Sequence, residues 1–262
     1  MKVNLHTHTY RCGHADGEDR EYIENAIRNG IEVLGFSDHA PFAFPPDGYE
    51  SPHRVPMADA REYVESISAL RDEYKGKIDI KIGFEMEYYP KYFDMMLKTV
   101  RDVGAEYVIM GEHYLRNELP EKRNAMSSRF VNDENDLRDY VDAVCMGIAT
   151  GVYTYVAHPD MVLYDTNSPI YRSEMRRLCE TAKRYNVPLE INLQGVRLRR
   201  QYPSEVFWSI AGEVGCKAVI GADAHSPCEV YDGESLKIVE ALVKKCRLEV
   251  IEKPEIVDIR KI

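Results

Sequence analysis

The sequence has no long apolar run and no paired cysteines, and each absence excludes a class of protein. No stretch approaches about 18 consecutive apolar residues, the length that a membrane-spanning helix requires. The six cysteines form no CxxC pair and no regular framework, which predicts reduced thiols in a cytoplasmic protein. The N-terminal run MKVNLHTHT carries one Lys before polar residues, a pattern typical of neither a signal peptide nor a transit peptide.

An excess of positive charge is also missing. The sequence has 44 acidic residues against 34 Lys and Arg, and its formal net charge is −10 at pH 7. Because cationic side chains supply most of the affinity for a nucleic-acid backbone, so acidic a chain is poorly suited to binding one non-specifically. We therefore expect no nucleic-acid partner and no membrane partner, although a basic pocket for a small anion is compatible with this charge.

Short apolar runs alternate along the chain with longer runs that have helical spacing. The seven predicted strands are VNLHTH, IEVLGFSDH, KIDIKIGFEME, EYVIMGEH, VYTYVAH, VPLEIN and KAVIGADAH. This repeated βα order predicts parallel strands with right-handed crossovers. Seven units in 262 residues indicate one α/β domain over residues 1–262, a closed or nearly closed (β/α)7 TIM-like barrel, with a doubly wound open sheet as the alternative.

Histidines and two acids cluster at the ends of these predicted strands. The carboxyl ends of parallel barrel strands meet on one face, so side chains there converge although they are distant in sequence. Within an HxH pair, residues i and i+2 of a strand point to the same side and can bind one metal ion. The candidate metal ligands are His6 and His8 on strand one, His14 in the following loop, and His39, Glu85, His113, His158, Asp223 and His225 on later strands. Among the eight histidines, only His53 is expected to lie elsewhere, in a Pro-rich loop.

The number of candidate ligands indicates a multinuclear metal centre. Gathering so many imidazoles without a metal would place unpaired or like-charged rings together, which is energetically costly. One tetrahedral ion needs four ligands, whereas three ions sharing a bridging carboxylate would use the whole set. Imidazole and carboxylate suit zinc, iron or manganese. We therefore predict three divalent transition metal ions.

The motifs HTHTYRCGHADG, FSDHAP, GFEMEYYP, GEHY, AHPD and GADAHSP, taken together, resemble the PHP (polymerase and histidinol phosphatase) superfamily. The resemblance runs in the same order from His6 to Pro227 and is greatest to the histidinol-phosphatase branch. It implies a distorted (β/α)7 barrel with a trinuclear metal centre. It assigns His6, His8, Glu85 and Asp223 to one metal, His14, His39 and His225 to a second, and Glu85, His113 and His158 to a third.

The resemblance also implies a reaction, the hydrolysis of a phosphomonoester. The favoured substrate is L-histidinol phosphate, a small phosphorylated metabolite of histidine biosynthesis, with L-histidinol and phosphate as products. A hydroxide bridging two metal ions would attack phosphorus, because metal binding lowers the pKa of water towards neutrality. Asp223 or His225 would orient this hydroxide or pass on a proton, and the sequence leaves open which of them does so.

Substrate contacts are expected just after strand six and at the cavity mouth. Arg197 in GVRLRR is the predicted phosphate ligand, with Arg199 and Arg200 as alternatives, because arginine suits bidentate phosphate contacts. Asp160 is the candidate for the cationic end of the substrate, together with Glu112 and Glu87. Two long loops, residues 40–56 and 114–133, could form a lid that selects the substrate.

Three alternatives are compatible with parts of this pattern. A PHP-type phosphoesterase could act on nucleotides or on another small phosphorylated metabolite with the same site chemistry. A metal-dependent amidohydrolase also begins with HxH, but it usually has a metal-bridging Lys at strand four, where this chain has GEHY. A metal-binding protein without turnover would not need so complete a ligand set. The sequence does not indicate an oligomeric state.

Overall fold

The structure is a computed structural model that describes residues 1–119, 127, 131 and 133–262. One sheet contains eight parallel strands, and they follow one another in chain order without a reversal. A doubly wound sheet would reverse its order at a switch point, so the barrel prediction is confirmed. The strands are β1 (Val3–Asn4), β2 (Val33–His39), β3 (Asp79–Glu85), β4 (Tyr107–Met110), β5 (Tyr153–Val156), β6 (Leu189–Asn192), β7 (Lys217–Gly221) and β8 (Glu249–Val250).

The sheet curls until its first strand meets its seventh. Beyond β1, Thr7 bridges Ala224 in parallel, and the His8 backbone N–H donates to the Ala224 carbonyl oxygen at 2.9 Å. The buried Asn4 side chain helps to close this seam, because its Oδ1 accepts from the backbone N–H of Ala222 at 3.1 Å. At its other end β7 pairs with β8, where Glu249 lies opposite Lys217. The result is a distorted TIM-like barrel whose closure lies at the carboxyl-terminal rim.

The helices cover the outside of this sheet and alternate with its strands, as the repeated βα order predicts. In α5, for example, Pro169 occupies the first turn and Asn186 ends the helix in a left-handed conformation with φ 56°. None of the described helices is both long and apolar enough to cross a bilayer. The helices are α1 (Asp19–Arg28), α2 (Ala60–Glu73), α3 (Phe93–Val103), α4 (Glu134–Thr150), α5 (Pro169–Tyr185), α6 (Leu193–Arg197), α7 (Glu205–Val214) and α8 (Gly233–Cys246).

Apolar side chains fill the inside of the barrel below the rim. They come from the strands β1, β4, β5 and β7 and the residues that follow them, and they contact one another across the interior. We call this set the barrel floor: Val3, Leu5, Tyr107, Ile109, Tyr155, Ala157 and Val219. The Tyr107 hydroxyl donates to the Leu5 carbonyl oxygen at 2.9 Å, so even the polar end of this ring is satisfied. The floor supports the rim from beneath with a dry, close-packed layer.

Three short elements were not predicted. The two-residue strand β8 lies beyond the seven predicted strands. A two-stranded hairpin, Ala43–Phe44 with Tyr49–Glu50, lies within the Pro-rich loop. Helix α6 follows β6 directly, and the Asn192 side chain caps it by accepting from the Gly195 backbone N–H at 3.1 Å. All three are too short to show a periodicity in sequence.

Candidate metal centre

The nine predicted ligands all lie together at the carboxyl-terminal rim. Eight of them line a cavity of about 660 Å³, and His6 lies directly behind its wall. The imidazole rings form a continuous patch, in which His8 stacks on His225 with ring centroids 4.1 Å apart. The rings of His39 and His113, and those of His113 and His158, are each 5.0 Å apart. Folding thus brings together residues from six strand ends and one loop.

The inner donor atoms are spaced as ligands of one ion would be. His6 Nε2 lies 3.3 Å from His8 Nε2, 3.6 Å from Glu85 Oε1 and 3.5 Å from Asp223 Oδ1. His8 Nε2 lies 3.2 Å from Asp223 Oδ1 and 3.6 Å from Glu85 Oε2. A tetrahedral ion with bonds of about 2.0–2.2 Å separates its ligand atoms by roughly 3.3–3.6 Å. These four side chains could therefore hold a metal ion with little rearrangement.

Donor groups on either side of this set could hold further ions. The ligand atoms of His8, His39 and His225 lie within 4.8 Å of one another, as do those of His6, Glu85 and His158. The His14 ring lies 5.2 Å from His39 and 5.0 Å from His225 between centroids. On the opposite side, Glu85 Oε1 lies 2.8 Å from His158 Nε2 and 3.5 Å from His113 Nε2. Glu85 therefore lies between two donor groups, as a bridging carboxylate would.

Three carboxylate oxygens of the site are buried without a hydrogen-bond partner in the described residues. Both oxygens of Glu85 and Oδ1 of Asp223 lack a hydrogen bond within residues 1–119, 127, 131 and 133–262. Buried polar atoms in folded proteins are almost always paired, and an unpaired buried carboxylate is expensive. Burial by itself raises the pKa of Glu85, but His113 and His6 hold that pKa well below its usual value. Divalent cations would provide the missing partners.

The outer nitrogens of three histidines contact carboxylates, which directs their Nε2 atoms inwards. His6 Nδ1 lies 2.8 Å from Glu190 Oε1, and His113 Nδ1 lies 2.8 Å from Glu87 Oε1. His8 Nδ1 lies 3.3 Å from Asp38 Oδ1. Carboxylate–histidine pairs of this kind fix the tautomer and the ring orientation of metal-binding imidazoles.

Glu190 is a functional candidate that sequence reasoning missed. Besides His6, it binds the His158 backbone N–H at 3.1 Å and the Asn192 side chain at 2.9 Å. Asn192 also donates to Asp223 Oδ2 at 3.0 Å, so β6 supports ligands from three other strands. A Cβ on Gly221 would lie 1.8 Å from Glu190 Oε1, which explains the glycine there. The available signal was an acid inside the apolar run VPLEIN.

The backbone is unusual at two of the candidate ligands. His158 has φ 31° and Asp223 has φ 48°, both in the left-handed region that residues with a side chain rarely adopt. Strained conformations of this kind persist where the surrounding contacts determine them, and they concentrate at functional sites. Here the strand ends turn sharply so that both side chains face the cavity.

The structure places two predicted substrate contacts outside the cavity lining. Arg197 does not line the cavity, because α6 turns it back, and its guanidinium donates to the carbonyl oxygens of Ala222 and Asp223 at 3.1 Å. Arg200, one of the alternatives, is exposed and does line the cavity. Asp160 is 2% exposed, lies outside the cavity lining and accepts from the Ser204 backbone N–H at 2.6 Å. Burial raises the pKa of Asp160 to about 7.

The loops contribute more to the cavity than predicted. His53, expected to lie elsewhere, lines the cavity with its ring 5.7 Å from that of His14. All eight histidines therefore surround one site. Of the acids considered for the mouth, Glu87 lines the cavity, whereas Glu112 is buried outside the lining. Most of the predicted lid segment 114–133 lies outside the described residues, although Tyr114 and Glu118 line the cavity.

A parallel barrel with imidazoles and carboxylates at its carboxyl-terminal rim defines a class of metal-binding α/β barrels. Within this class, the chain belongs to the PHP domain family, whose model matches residues 4–194.

Individual relatives resemble the chain over most of its length. A probable histidinol-phosphatase of Deinococcus radiodurans is 29% identical over 231 residues, covering 86% of each chain. The histidinol-phosphatase of Bacillus subtilis is 24% identical and covers 94% of this chain and all of its own. A crystal structure of histidinol phosphate phosphatase from Lactococcus lactis, complexed with zinc, L-histidinol and phosphate, is 20% identical. It superposes with a TM-score of 0.72 and covers 97% of both chains.

Proposed function

We propose that this protein is a metal-dependent phosphomonoester hydrolase that converts L-histidinol phosphate to L-histidinol and phosphate. The observation that carries the proposal is the spacing of the inner donor atoms, 3.2–3.6 Å among the side chains of His6, His8, Glu85 and Asp223. Family membership and the names of the relatives support the reaction and the substrate. The enzyme would act on a small metabolite in the reducing cytoplasm, where its six free thiols would persist.

Three divalent transition metal ions, zinc, iron or manganese, fit the donors of the rim. The proposed ligands are His6, His8, Glu85 and Asp223 for the first, His14, His39 and His225 for the second, and Glu85, His113 and His158 for the third. When bound, such ions lower the pKa of coordinated water and neutralise phosphoryl oxygens.

Asp223 and His225 are the proposed catalytic side chains. Asn192 holds Asp223 through Oδ2, which leaves Oδ1 facing the imidazoles, where it can orient a proton of the attacking water. Gln194 Nε2 lies 2.9 Å from His225 Nδ1 and fixes the ring of this histidine beside His8. Both side chains line the cavity, which supports their proposed roles.

The remaining cavity wall has groups for both ends of the substrate. Arg200 replaces Arg197 as the proposed phosphate ligand, because its guanidinium is exposed at the cavity. Glu87 and Glu118 line the wall with a shared arginine, Arg54, between them. Two carboxylates against one guanidinium leave a net negative charge, which suits the ammonium group of histidinol phosphate.

The test is turnover by purified, metal-analysed protein on a panel of phosphate esters. The panel contains L-histidinol phosphate, nucleoside monophosphates, sugar phosphates and a phosphodiester. We expect kcat/KM to be highest for histidinol phosphate and to fall to background after chelation. A preference for nucleotides or for another phosphorylated metabolite would contradict the proposed substrate and keep the reaction class. Hydrolysis that survives complete removal of metal would contradict the mechanism.

A further inference from the structure

Arg54 is a buried arginine in the loop between the hairpin and α2. Its side chain is 3% exposed, although the loop itself lies on the surface. Every part of the guanidinium is engaged: Nε donates to Glu118 Oε1 at 2.9 Å, and Nη1 donates to the Ala40 carbonyl oxygen at 2.8 Å. Nη2 contacts both Glu87 Oε2 and Glu118 Oε1. A buried guanidinium with this number of partners is held in one position and is not a solvated charge.

The partners of Arg54 come from three different loops at the rim. Ala40 follows β2, Glu87 follows β3 and Glu118 follows β4. Without the arginine, Glu87 and Glu118 would be two like charges in a buried site, and the Tyr89 hydroxyl, which donates to Glu118 at 3.1 Å, carries no charge to balance them. Arg54 therefore balances the charge of both carboxylates and holds them in place.

Glu87 connects this cluster to the candidate metal centre. While its Oε2 contacts Arg54, its Oε1 lies 2.8 Å from His113 Nδ1. The other nitrogen of the same ring, His113 Nε2, lies 3.5 Å from Glu85 Oε1. Arg54, Glu87 and His113 thus form a continuous chain of contacts that ends at a donor atom. A histidine oriented by a carboxylate binds metal more tightly, and here that carboxylate is itself held by an arginine.

We propose that Arg54 is a positioning residue that sets the affinity of the metal ion held by His113. It acts through Glu87 and fixes the ring of His113 so that Nε2 faces Glu85. This inference rests on the proposed metal centre and not on the identity of the substrate.

The test compares zinc binding by the wild type with binding by Arg54→Met, Arg54→Lys and Glu87→Gln. Zinc content is measured after dialysis at buffered free zinc, and affinity is measured by competition with a chromogenic chelator. We expect Arg54→Met to bind its weakest zinc ion roughly 10- to 100-fold less tightly, the usual effect of losing an outer partner of a ligand. Arg54→Lys keeps the positive charge but lacks the planar guanidinium, so its zinc affinity should fall less than that of Arg54→Met. Arg116→Met is the matched control, since Arg116 lies on the same rim but is 53% exposed and pairs with Asp136 and Asp139.

A double-mutant cycle separates positioning from general destabilisation. In a His113→Ala background, Arg54→Met should cause no further loss of zinc affinity, because the ring that it orients is gone. An equal further loss in that background would overturn the proposal, as would wild-type affinity in folded Arg54→Met. If Arg54→Met does not fold, wild-type affinity in both Arg54→Lys and Glu87→Gln would overturn it. A wild-type protein that binds no metal would overturn the proposed function as well, whereas normal wild-type binding with unaffected variants would refute only this inference.

Discussion

Along β4, Ile109 faces the dry apolar floor of the barrel, whereas His113, a little further along the chain, faces a cavity of imidazoles and carboxylates. On β5, Tyr155 likewise faces the barrel floor, and His158, which follows the strand, faces the cavity. The floor is satisfied by packing and by the hydrogen bonds of the Tyr107 hydroxyl, while the rim contains buried carboxylate oxygens that lack hydrogen bonds within the described residues. The same strands therefore carry both the apolar floor and the polar rim. The floor supplies stability without chemistry, and the rim holds groups that are costly until a cation binds.

The strongest test of this comparison is Asp223→Ala at the rim. It removes a candidate ligand and a catalytic carboxylate together, so we expect kcat to fall roughly 10³-fold or more. In metal-free protein the substitution removes the unpaired Oδ1 together with the hydrogen bond that Asn192 donates to Oδ2, so the melting temperature should change little. Steady-state kinetics and thermal unfolding followed by circular dichroism would measure both effects. A fully active variant would remove Asp223 from the mechanism.

Ile109→Ala in the barrel floor should have the opposite effect: it should lower the stability of the protein and leave kcat unchanged. The side chain is fully buried, so its truncation should cost about 2–5 kcal/mol of unfolding free energy. Below the unfolding transition, kcat of the folded fraction should remain close to the wild-type value. Urea denaturation of metal-free protein, with kinetics measured at low temperature, would show this separation. A large loss of kcat at unchanged stability would contradict the division between floor and rim.

Glu190→Gln tests a buried side chain that contacts the candidate ligand His6 without lining the cavity. The amide keeps the size of the side chain but loses the charge that orients His6 through Nδ1. We expect a 10- to 100-fold loss in metal affinity or activity, of the order seen when outer partners of ligands are changed. Metal titration of the purified variant would measure it. Unchanged affinity would show that the neighbouring ligands alone fix His6.

The smallest expected effect concerns the arginines after β6. Arg200→Met should raise KM for histidinol phosphate about 10-fold, equivalent to one hydrogen bond to a charged group, with metal content unchanged. Arg199→Met is the control, since Arg199 is exposed and does not line the cavity. Initial-rate kinetics on both variants would distinguish them. Equal KM values would leave the phosphate ligand unassigned.

Much of this arrangement could be predicted because parallel strands determine where their ends lie. The positions of His39, Glu85 and His158 at one rim follow from the βα repeat alone, and the structure places them there. The role of each residue as a metal ligand stays a prediction, as does the single domain over residues 1–262.

Side-chain direction in short elements could not be predicted. Arg197 was misplaced because a five-residue helix turns it towards backbone carbonyls, and such a helix has too few residues to show periodicity. Asp160 was misplaced because its burial depends on Ser204, which comes from a distant part of the chain. Arg54 and His53 were missed for the same reason, since their partners lie in other loops.

The seam of the barrel also has a consequence for how the protein matures. β7 is flanked by β8 at one end and by the residues after β1 at the other, so the two most distant parts of the sequence meet there. A chain still growing on the ribosome holds His6 and His8 long before Asp223 exists to join them. If these residues bind a metal ion together, its binding would be a late step of biogenesis, completed only after the last strands have emerged and the barrel has closed.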